Sequence, residues 1–217
     1  MQWKKMNAFI WDFDGTLFDT YPHTMDAMQA AAADLGLTVD RGELYGWLMQ
    51  NIPYAIDCIC TAGGFRREEF LRLYWEYVGE DLSTHGGPFF CAQEVLSQVK
   101  RRGGRNFMFT HRENDVYPFL DRYEMRDLFT RILTLADGVE RKPSPDGILR
   151  LIREYRLDPA CTVMVGDREL DVLSGKNAGI RTCHVTNRLP YTPFEADARV
   201  DGLDELLREL NRADSGQ

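Results

Sequence analysis

The chain has 217 residues, of which 44% are hydrophobic, and carries a formal net charge of −8. This length allows one large domain, or a domain with an insertion, and supplies enough apolar residues for a sizeable core. The pI near 5.1 argues against a general nucleic-acid surface, because there is no basic excess to meet phosphates.

The cysteines and the apolar runs of the sequence favour a protein of the cytoplasm. The five cysteines are scattered and include no Cys-x-x-Cys pair, so neither a disulfide framework nor a thiolate zinc site is expected, and the cytoplasm is the default. No apolar run reaches the length of a membrane span, so no membrane partner is expected. The apolar stretch after the basic N-terminus is interrupted by Asp12 and Asp14, which does not fit a signal peptide.

The first predicted element is a buried strand that ends in two carboxylates. The apolar run at 9–11 leads directly into Asp12 and Asp14, followed by Gly15 and Thr16. Such a break is typical of a strand entering a loop, and ligands bind at the carboxyl ends of strands in open α/β sheets. An acidic turn after an edge strand would explain one aspartate easily and the pair less well. Two carboxylates there repel each other unless a cation or a reaction compensates.

Residues 20–85 show a helical pattern without a convincing strand. Apolar residues recur at helical spacing over 25–35, in two runs over 44–59, and again over 70–77. We therefore predict a helical cap domain over 20–85, inserted after the first strand. Its aromatic side chains are expected mostly to form the core of this small lobe. They are Tyr45, Trp47, Tyr54, Phe65, Phe70, Tyr74, Trp75 and Tyr77.

From residue 89 onward, predicted strands and helices alternate. Strands are predicted at 106–110, 131–135, 162–165, 180–185 and 198–200, with helices between them and a last helix at 203–210. One of these helices should begin with Ser144 as N-cap and Pro145 in the first position. The alternation predicts an α/β fold, a Rossmann-like parallel sheet with helices on both faces. The α/β catalytic core would comprise 1–19 and 86–217.

Three further predicted strand ends carry polar or charged side chains. They are Thr110 with His111 and Arg112, then Lys142, then Asp167 with Asp171. Each has an ordinary structural explanation, such as a strand-end hydroxyl, a solvated lysine or a helix cap. In a parallel sheet, however, these ends lie at the same edge as the end of the first strand. The sequence therefore predicts one site at this edge.

Taken in chain order, these residues resemble the four motifs of the haloacid dehalogenase superfamily. The motifs are Asp12-x-Asp14-Gly-Thr, Thr110, Lys142-Pro143 and Gly166-Asp167-x-x-x-Asp171. A helical insertion between the first and second motifs resembles the C1-capped branch, with its phosphoglycolate phosphatase-like and sugar-phosphate phosphatase-like members. The resemblance covers about residues 7–211. It implies hydrolysis of a small phosphorylated metabolite.

The resemblance also implies how the carboxylates are used. Asp12 would be the nucleophile that forms an aspartyl-phosphate. Asp14 would donate a proton to the leaving oxygen and then take one from the attacking water. Metal ligands would be Asp12, the main-chain carbonyl of Asp14, Asp167, and Asp171 directly or through water. Four formal negative charges and a phosphate of about two more require a divalent cation, and oxygen ligands select Mg²⁺.

The remaining motif residues are expected to hold the substrate. Thr110, Lys142 and the backbone N–H groups around Gly15 and Thr16 would bind the transferring oxygens. His111 and Arg112 stand where small or amide residues are commoner in this superfamily. Arg112 either contacts the substrate, or is solvated or paired with a neighbouring carboxylate such as Glu113 or Asp115.

Related reactions fit the sequence less well. A haloalkanoate dehalogenase needs no acid at the position of Asp14, and a phosphonoacetaldehyde-type hydrolase needs a cap lysine, whereas no lysine occurs between Lys5 and Lys100. A sugar phosphomutase typically needs a basic cap residue, which Arg41, Arg66 or Arg67 could supply, so this alternative stays open. A non-catalytic metal-binding or regulatory relative would have no use for the proton donor Asp14.

Overall fold

The computed structural model describes residues 1–79 and 86–215. The end of the predicted helical insertion, 80–85, lies outside the described residues. The chain divides into two units, residues 1–19 with 87–217 and residues 20–86. In the described ranges, no helix combines the length and apolar character that a membrane crossing requires.

Six parallel strands form the main sheet of the first unit within the described residues, and two more form a separate ribbon. In chain order the eight strands are β1 (Ala8–Trp11), β2 (Phe18–Asp19), β3 (Gly87–Pro88), β4 (Arg105–Phe109), β5 (Arg131–Leu133), β6 (Thr162–Gly166), β7 (Arg181–Val185) and β8 (Ala198–Val200). Their order in the sheet is β5-β4-β1-β6-β7-β8, and every neighbouring pair is parallel. This confirms the predicted Rossmann-like α/β fold. The antiparallel ribbon of β2 and β3 was not predicted.

The helices largely follow the apolar periodicity of the sequence. They are α1 (Tyr21–Asp34), α2 (Arg41–Gln50), α3 (Ile52–Gly63), α4 (Arg67–Val78), α5 (Ala92–Arg101), α6 (Val116–Arg122), α7 (Asp146–Tyr155), α8 (Glu169–Asn177) and α9 (Leu203–Ser215). Helix α6 was not predicted. The prediction of a helix with Pro145 in its first position was wrong, because α7 begins at Asp146, whose N–H donates to the Ser144 hydroxyl at 3.3 Å.

Strand β1 lies at the centre of the sheet because its side chains are apolar on both faces. All four residues are completely buried, which is typical of a parallel strand covered by helices on both sides. On one face, Ile10 belongs to a cluster with Phe107, Phe109 and Ile148 of α7. On the other face, Trp11 stacks on Phe9 with ring centroids 5.6 Å apart. The chain leaves the sheet after Trp11, directly before Asp12.

A buried asparagine joins three segments beside β1. The Asn106 carbonyl accepts the indole N–H of Trp11 at 3.0 Å, and its amide donates to the carbonyls of Leu96 and Leu128 at 2.9 and 3.1 Å. Buried polar groups must find such partners, because an unmade hydrogen bond is costly inside a protein. Asn106 therefore fixes the indole of the residue directly before Asp12.

The second unit is helical over its described residues. Helix α1 packs against α4, and α2 packs against α3. Side-chain caps begin two of these helices, since Asp40 accepts the N–H of Glu43 at 2.9 Å and Asn51 accepts that of Tyr54 at 2.8 Å. The Tyr77 hydroxyl donates to Asp34 at 2.8 Å and so joins α4 to α1.

The aromatic residues that were predicted to form mostly the core of this unit are buried to different degrees. Phe70 and Tyr74 are buried and Tyr45, Trp47 and Phe65 are partly buried, whereas Tyr54, Trp75 and Tyr77 are 47%, 57% and 45% exposed. Small side chains, among them Ala31 and Ala32 of α1, also take part in this core.

We predict that Asn106→Leu lowers the free energy of unfolding by about 3 kcal/mol, because it leaves the Trp11 N–H and the carbonyls of Leu96 and Leu128 buried without these hydrogen bonds. Urea denaturation followed by circular dichroism measures this change. The matched control is Asn211→Leu, the same substitution at an exposed position of α9, expected to change stability by less than about 0.5 kcal/mol. A loss below about 1 kcal/mol for Asn106→Leu would contradict the assigned role.

Candidate active site

Three motif residues directly follow neighbouring strands of the sheet. Asp12 comes after β1, Thr110 after β4 and Asp167 after β6. The main-chain hydrogen bonds between strands continue to Asp12 and Thr110. The N–H of Asp12 donates to the carbonyl of Val165 at 2.9 Å, and that of Thr110 donates to the carbonyl of Leu133 at 3.1 Å. The carboxyl ends of the parallel strands thus bring these side chains to one edge.

A cluster of three buried carboxylates forms at this edge. Asp12, Asp167 and Asp171 each offer an oxygen, and these oxygens all lie within 4.8 Å of one another. Asp171 reaches the cluster from the first turn of α8. It can do so only because residue 166 is a glycine, since a Cβ at Gly166 would lie 2.3 Å from the Cβ of Asp171.

Lys142 is the cation in contact with this cluster. Its Nζ lies 2.5 Å from Oδ1 of Asp12 and 2.5 Å from Oδ1 of Asp171, and its side chain is fully buried. A buried charge is tolerated only when it is paired and hydrogen-bonded. Arg168 also acts on Asp12 and Asp171, so two positive charges face three carboxylates and the cluster retains an excess of negative charge.

The pKa shifts follow from this imbalance. Burial and the charge of Asp171 raise the pKa of Asp12 to about 6, although Lys142 opposes them. Burial alone would raise the pKa of Asp171, but Lys142 and Arg168 outweigh it and lower that pKa. Burial would lower the pKa of Lys142, and the charges of Asp12 and Asp171 raise it. Asp12 is therefore the less well stabilised of the two anions.

The cluster fits a divalent metal ion. Among the described residues, Oδ2 of Asp12 is buried and has no hydrogen-bond partner. Carboxylate oxygens are ligands that hard divalent cations prefer. A metal ion bound here would contact this oxygen, which is otherwise shielded from water and accepts no hydrogen bond among the described residues. The side chain of Asp14 is not part of this cluster of described residues.

Residues far away in the sequence form hydrogen bonds with the loop after β1. The Thr16 hydroxyl donates to Oδ1 of Asp167 at 3.1 Å. The Asn187 amide donates to the main-chain carbonyls of Gly15 and Thr16 at 2.8 and 3.1 Å, while the Gly15 N–H donates to Phe18 at 2.8 Å. Asn187 was not predicted, although its place just after β7 is the same strand-end signal that identified the other motif residues.

His111 supports the main chain at Lys142. Its Nε2 accepts the Lys142 N–H at 2.8 Å. Burial and the positive charge of Lys142 lower the pKa of His111 to about 3. The imidazole is therefore neutral at pH 7, with its proton on Nδ1. A role of His111 in substrate binding stays a prediction.

Arg112 pairs with the second carboxylate of the first motif. Its Nε and Nη2 donate to Oδ1 of Asp14 at 3.0 and 2.9 Å, and Nε also reaches Oδ2 at 3.1 Å. Its Nη1 donates to Asp115 at 2.5 Å. Burial would lower the pKa of Arg112, but these two carboxylates raise it. Pairing with Asp115 was among the predicted possibilities, whereas pairing with Asp14 was not.

Comparison with known proteins agrees with this arrangement. A family model for haloacid dehalogenase-like hydrolases matches residues 9–185. An N-acetylmuramic acid 6-phosphate phosphatase of Pseudomonas putida is 30% identical over 225 residues, covering 96% of this chain and 98% of the relative. A phosphoglycolate phosphatase of Thiobacillus denitrificans is 26% identical, covering 96% of this chain and 97% of the relative.

Solved structures show the same fold. A hydrolase from Streptococcus pneumoniae superposes with a TM-score of 0.67 at 28% identity, covering 95% of this chain and 99% of that chain. A hydrolase of the haloacid dehalogenase superfamily from Geobacter sulfurreducens gives 0.75 at 22% identity, covering 95% and 97%. The family model spans most of the chain and the relatives above are named phosphatases, so this chain belongs to the haloacid dehalogenase-like hydrolases, in their phosphatase branch.

Proposed function

We propose that this protein is a phosphatase that hydrolyses a small phosphate monoester through an aspartyl-phosphate on Asp12, with Mg²⁺ as its cofactor. The observation that supports this most is the environment of the Asp12 carboxylate. One of its oxygens contacts Lys142, and the other is buried without a partner among the described residues. A carboxylate kept in this state is suited to bind a cation and attack phosphorus.

The metal would be held by the residues of the buried cluster. Asp12, Asp167 and Asp171 offer carboxylate oxygens, and the main-chain carbonyl of Asp14 is the fourth proposed ligand. When bound, Mg²⁺ supplies positive charge that offsets the carboxylates and the charge of the transferring phosphoryl group. The Thr16 hydroxyl, 3.1 Å from Asp167, keeps that carboxylate oriented.

The first half of the reaction transfers the phosphoryl group. The Asp12 carboxylate attacks phosphorus and forms a new P–O bond, and the P–O bond to the leaving group breaks. Asp14 gives its proton to the departing oxygen, which leaves as an alcohol. Lys142 and the Thr110 hydroxyl hold the transferring oxygens. With a pKa of about 6, Asp12 is mostly ionised at pH 7 and can act as the nucleophile.

The second half restores both aspartates. Asp14, now a carboxylate, takes a proton from water, and the water oxygen attacks phosphorus. The P–O bond to Asp12 breaks and inorganic phosphate leaves. The sum is ester plus water giving alcohol plus phosphate, with Asp12 ionised and Asp14 protonated as at the start.

Hydrolysis is favoured over phosphomutase chemistry. A mutase of this kind needs a basic residue of the helical unit to hold a second phosphate. Arg41 pairs with Asp26 at 2.5 Å, and Arg67 pairs with Asp57, so two of the three arginines that could take this role already have carboxylate partners in their own unit. The relatives described above are named phosphatases. We propose that the helical unit is a cap that selects the substrate.

We expect the protein to release phosphate from p-nitrophenyl phosphate with Mg²⁺ and to stop when EDTA is added. Asp12→Asn should lower kcat at least about 10³-fold, because the amide is not a nucleophile. Asp14→Asn should lower it about 10²- to 10⁴-fold by removing the proton donor and acceptor. A panel containing N-acetylmuramic acid 6-phosphate, phosphoglycolate and pyrophosphate would then identify the substrate class.

The matched control for these variants is Asp121→Asn. Asp121 is half-exposed and pairs with Arg126 at 3.0 Å on the surface, so its loss should leave kcat within about twofold. Turnover by Asp12→Asn equal to that of wild type would rule out the aspartyl-phosphate. Full activity in EDTA would rule out the metal.

We also expect Mg²⁺ to stabilise the folded protein. At Mg²⁺ concentrations about a hundred times Kd, the free energy of unfolding should rise by about 2.7 kcal/mol, because the ion binds only the folded cluster. Replacing both Asp167 and Asp171 by asparagine should abolish this gain. Asp14→Asn should keep it, because only the main chain of that residue is a proposed ligand.

Urea denaturation at several Mg²⁺ concentrations measures these differences. An equal gain in wild type and in the Asp167→Asn, Asp171→Asn double variant would place the metal elsewhere. Loss of the gain in Asp14→Asn would show that its carboxylate is also a ligand.

A further inference from the structure

The turn that follows β7 contains two residues with a left-handed backbone. Asn187 and Arg188 have φ angles of +47° and +59°, a conformation that asparagine tolerates and that strains an arginine. Hydrogen bonds hold the turn in this shape. The Arg188 N–H donates to the Thr186 hydroxyl oxygen at 3.1 Å, and the Leu189 N–H donates to the Thr186 carbonyl at 2.9 Å. Nη2 of Arg188 donates to both carboxylate oxygens of Asp204 in α9, at 2.9 and 3.0 Å. The surrounding structure therefore keeps the turn in one conformation.

The side-chain amide of Asn187 reaches the loop after β1. Its Nδ2 donates to the main-chain carbonyls of Gly15 and Thr16 at 2.8 and 3.1 Å, and these partners lie 172 and 171 positions away in the sequence. An asparagine that only closes its own turn uses its side chain on backbone about two residues further on. Asn187 instead fixes two successive peptide groups in the loop that carries Asp12 and Asp14.

Thr16 connects this amide to the buried carboxylates. The residue is completely buried, its carbonyl accepts from Asn187, and its hydroxyl donates to Oδ1 of Asp167 at 3.1 Å. A threonine side chain has few rotamers, so the position of its main chain determines where the hydroxyl points. Direct contacts therefore lead from the turn after β7 to one of the three clustered carboxylates.

We propose that Asn187 is a positioning residue for the metal site, which holds the main chain of Thr16 and so directs the Thr16 hydroxyl to Asp167. This inference rests on the proposed function, in which Asp167 is a ligand of Mg²⁺. Groups that orient a metal ligand without touching the metal contribute to its binding, and their loss typically costs about 10- to 100-fold in affinity or activity. Asn187 thus contributes to metal affinity without being a ligand.

Calorimetric titration of the metal-free protein with MgCl₂ tests this inference. Asn187→Gly removes the amide and keeps the left-handed backbone, which glycine adopts without strain. We expect this variant to raise the Kd for Mg²⁺ about tenfold or more, while it still unfolds in a single urea transition in EDTA. Phosphate release from p-nitrophenyl phosphate should need correspondingly more Mg²⁺. Once Mg²⁺ is saturating, KM for the ester should stay within about twofold of wild type.

Thr16→Val tests the route through the hydroxyl. This variant removes the hydroxyl with little change of shape and should raise the Kd for Mg²⁺ by a similar factor. Because Asn187 acts through Thr16, adding Asn187→Gly to Thr16→Val should raise the Kd by less than about threefold further. Two independent effects would multiply instead.

Arg156→Gly is the matched control. Arg156 also has a left-handed backbone, with φ of +49°, at the exposed end of α7. Its replacement by glycine changes the same kind of backbone position and should leave the Kd within about twofold of wild type.

If Asn187→Gly does not fold, Asn187→Asp decides the question. It keeps the shape of the side chain and replaces the donating amide by an oxygen, and the added negative charge alone would tighten Mg²⁺ binding. Weaker binding would support the inference, and equal or tighter binding would overturn it.

Two results with folded Asn187→Gly would also overturn the inference. The first is a Kd for Mg²⁺ that rises less than about threefold. The second is a full further rise when Asn187→Gly is added to Thr16→Val. A wild-type protein that binds no Mg²⁺ in the titration would instead overturn the proposed metal-dependent function, so the two failures are distinguishable.

Discussion

Lys142 lies between two buried carboxylates, and the rest of the site depends on that contact. Without it, Asp12 and Asp171 would repel each other in a region that water does not reach. The surrounding structure keeps this arrangement in place. Strand β1, which is buried on both faces, ends directly before Asp12, Gly166 leaves room for Asp171, and His111 holds the main chain of Lys142.

The sequence was sufficient to predict the sheet and the motif residues at its edge. Parallel strands that are buried on both faces appear as short apolar runs, and each run here ends at a polar group. The carboxyl ends of neighbouring parallel strands lie at one edge, so Asp12, Thr110 and Asp167 could be placed together from the sequence. The helical periodicity of 20–79 was equally readable, because core-facing residues recur every three or four positions.

Side-chain hydrogen bonds between residues that are far apart in the sequence were not predictable in this way. Arg112 and Asp14 are 98 positions apart, and nothing in either segment indicates that the arginine turns towards that carboxylate instead of the nearby Glu113. Asn106 lies within β4 and Asn187 follows β7, but asparagine is more often a turn residue, so neither contact was predictable. Exposed aromatic residues such as Trp75 were assigned to the core because hydrophobicity alone does not specify which side of a helix is covered.

The unpartnered oxygen of Asp12 also means that this chain does not have its highest attainable thermal stability. A neutral amide at this position would remove the repulsion from Asp171 and would keep nearly the same shape. An Asp12→Asn protein without metal should therefore tolerate heat better than the wild type, as is common where a reactive group is held in an unfavourable environment. Directed evolution for heat resistance alone would tend to remove the residue that we propose as the nucleophile, so a selection scheme for this protein should test catalysis in every round.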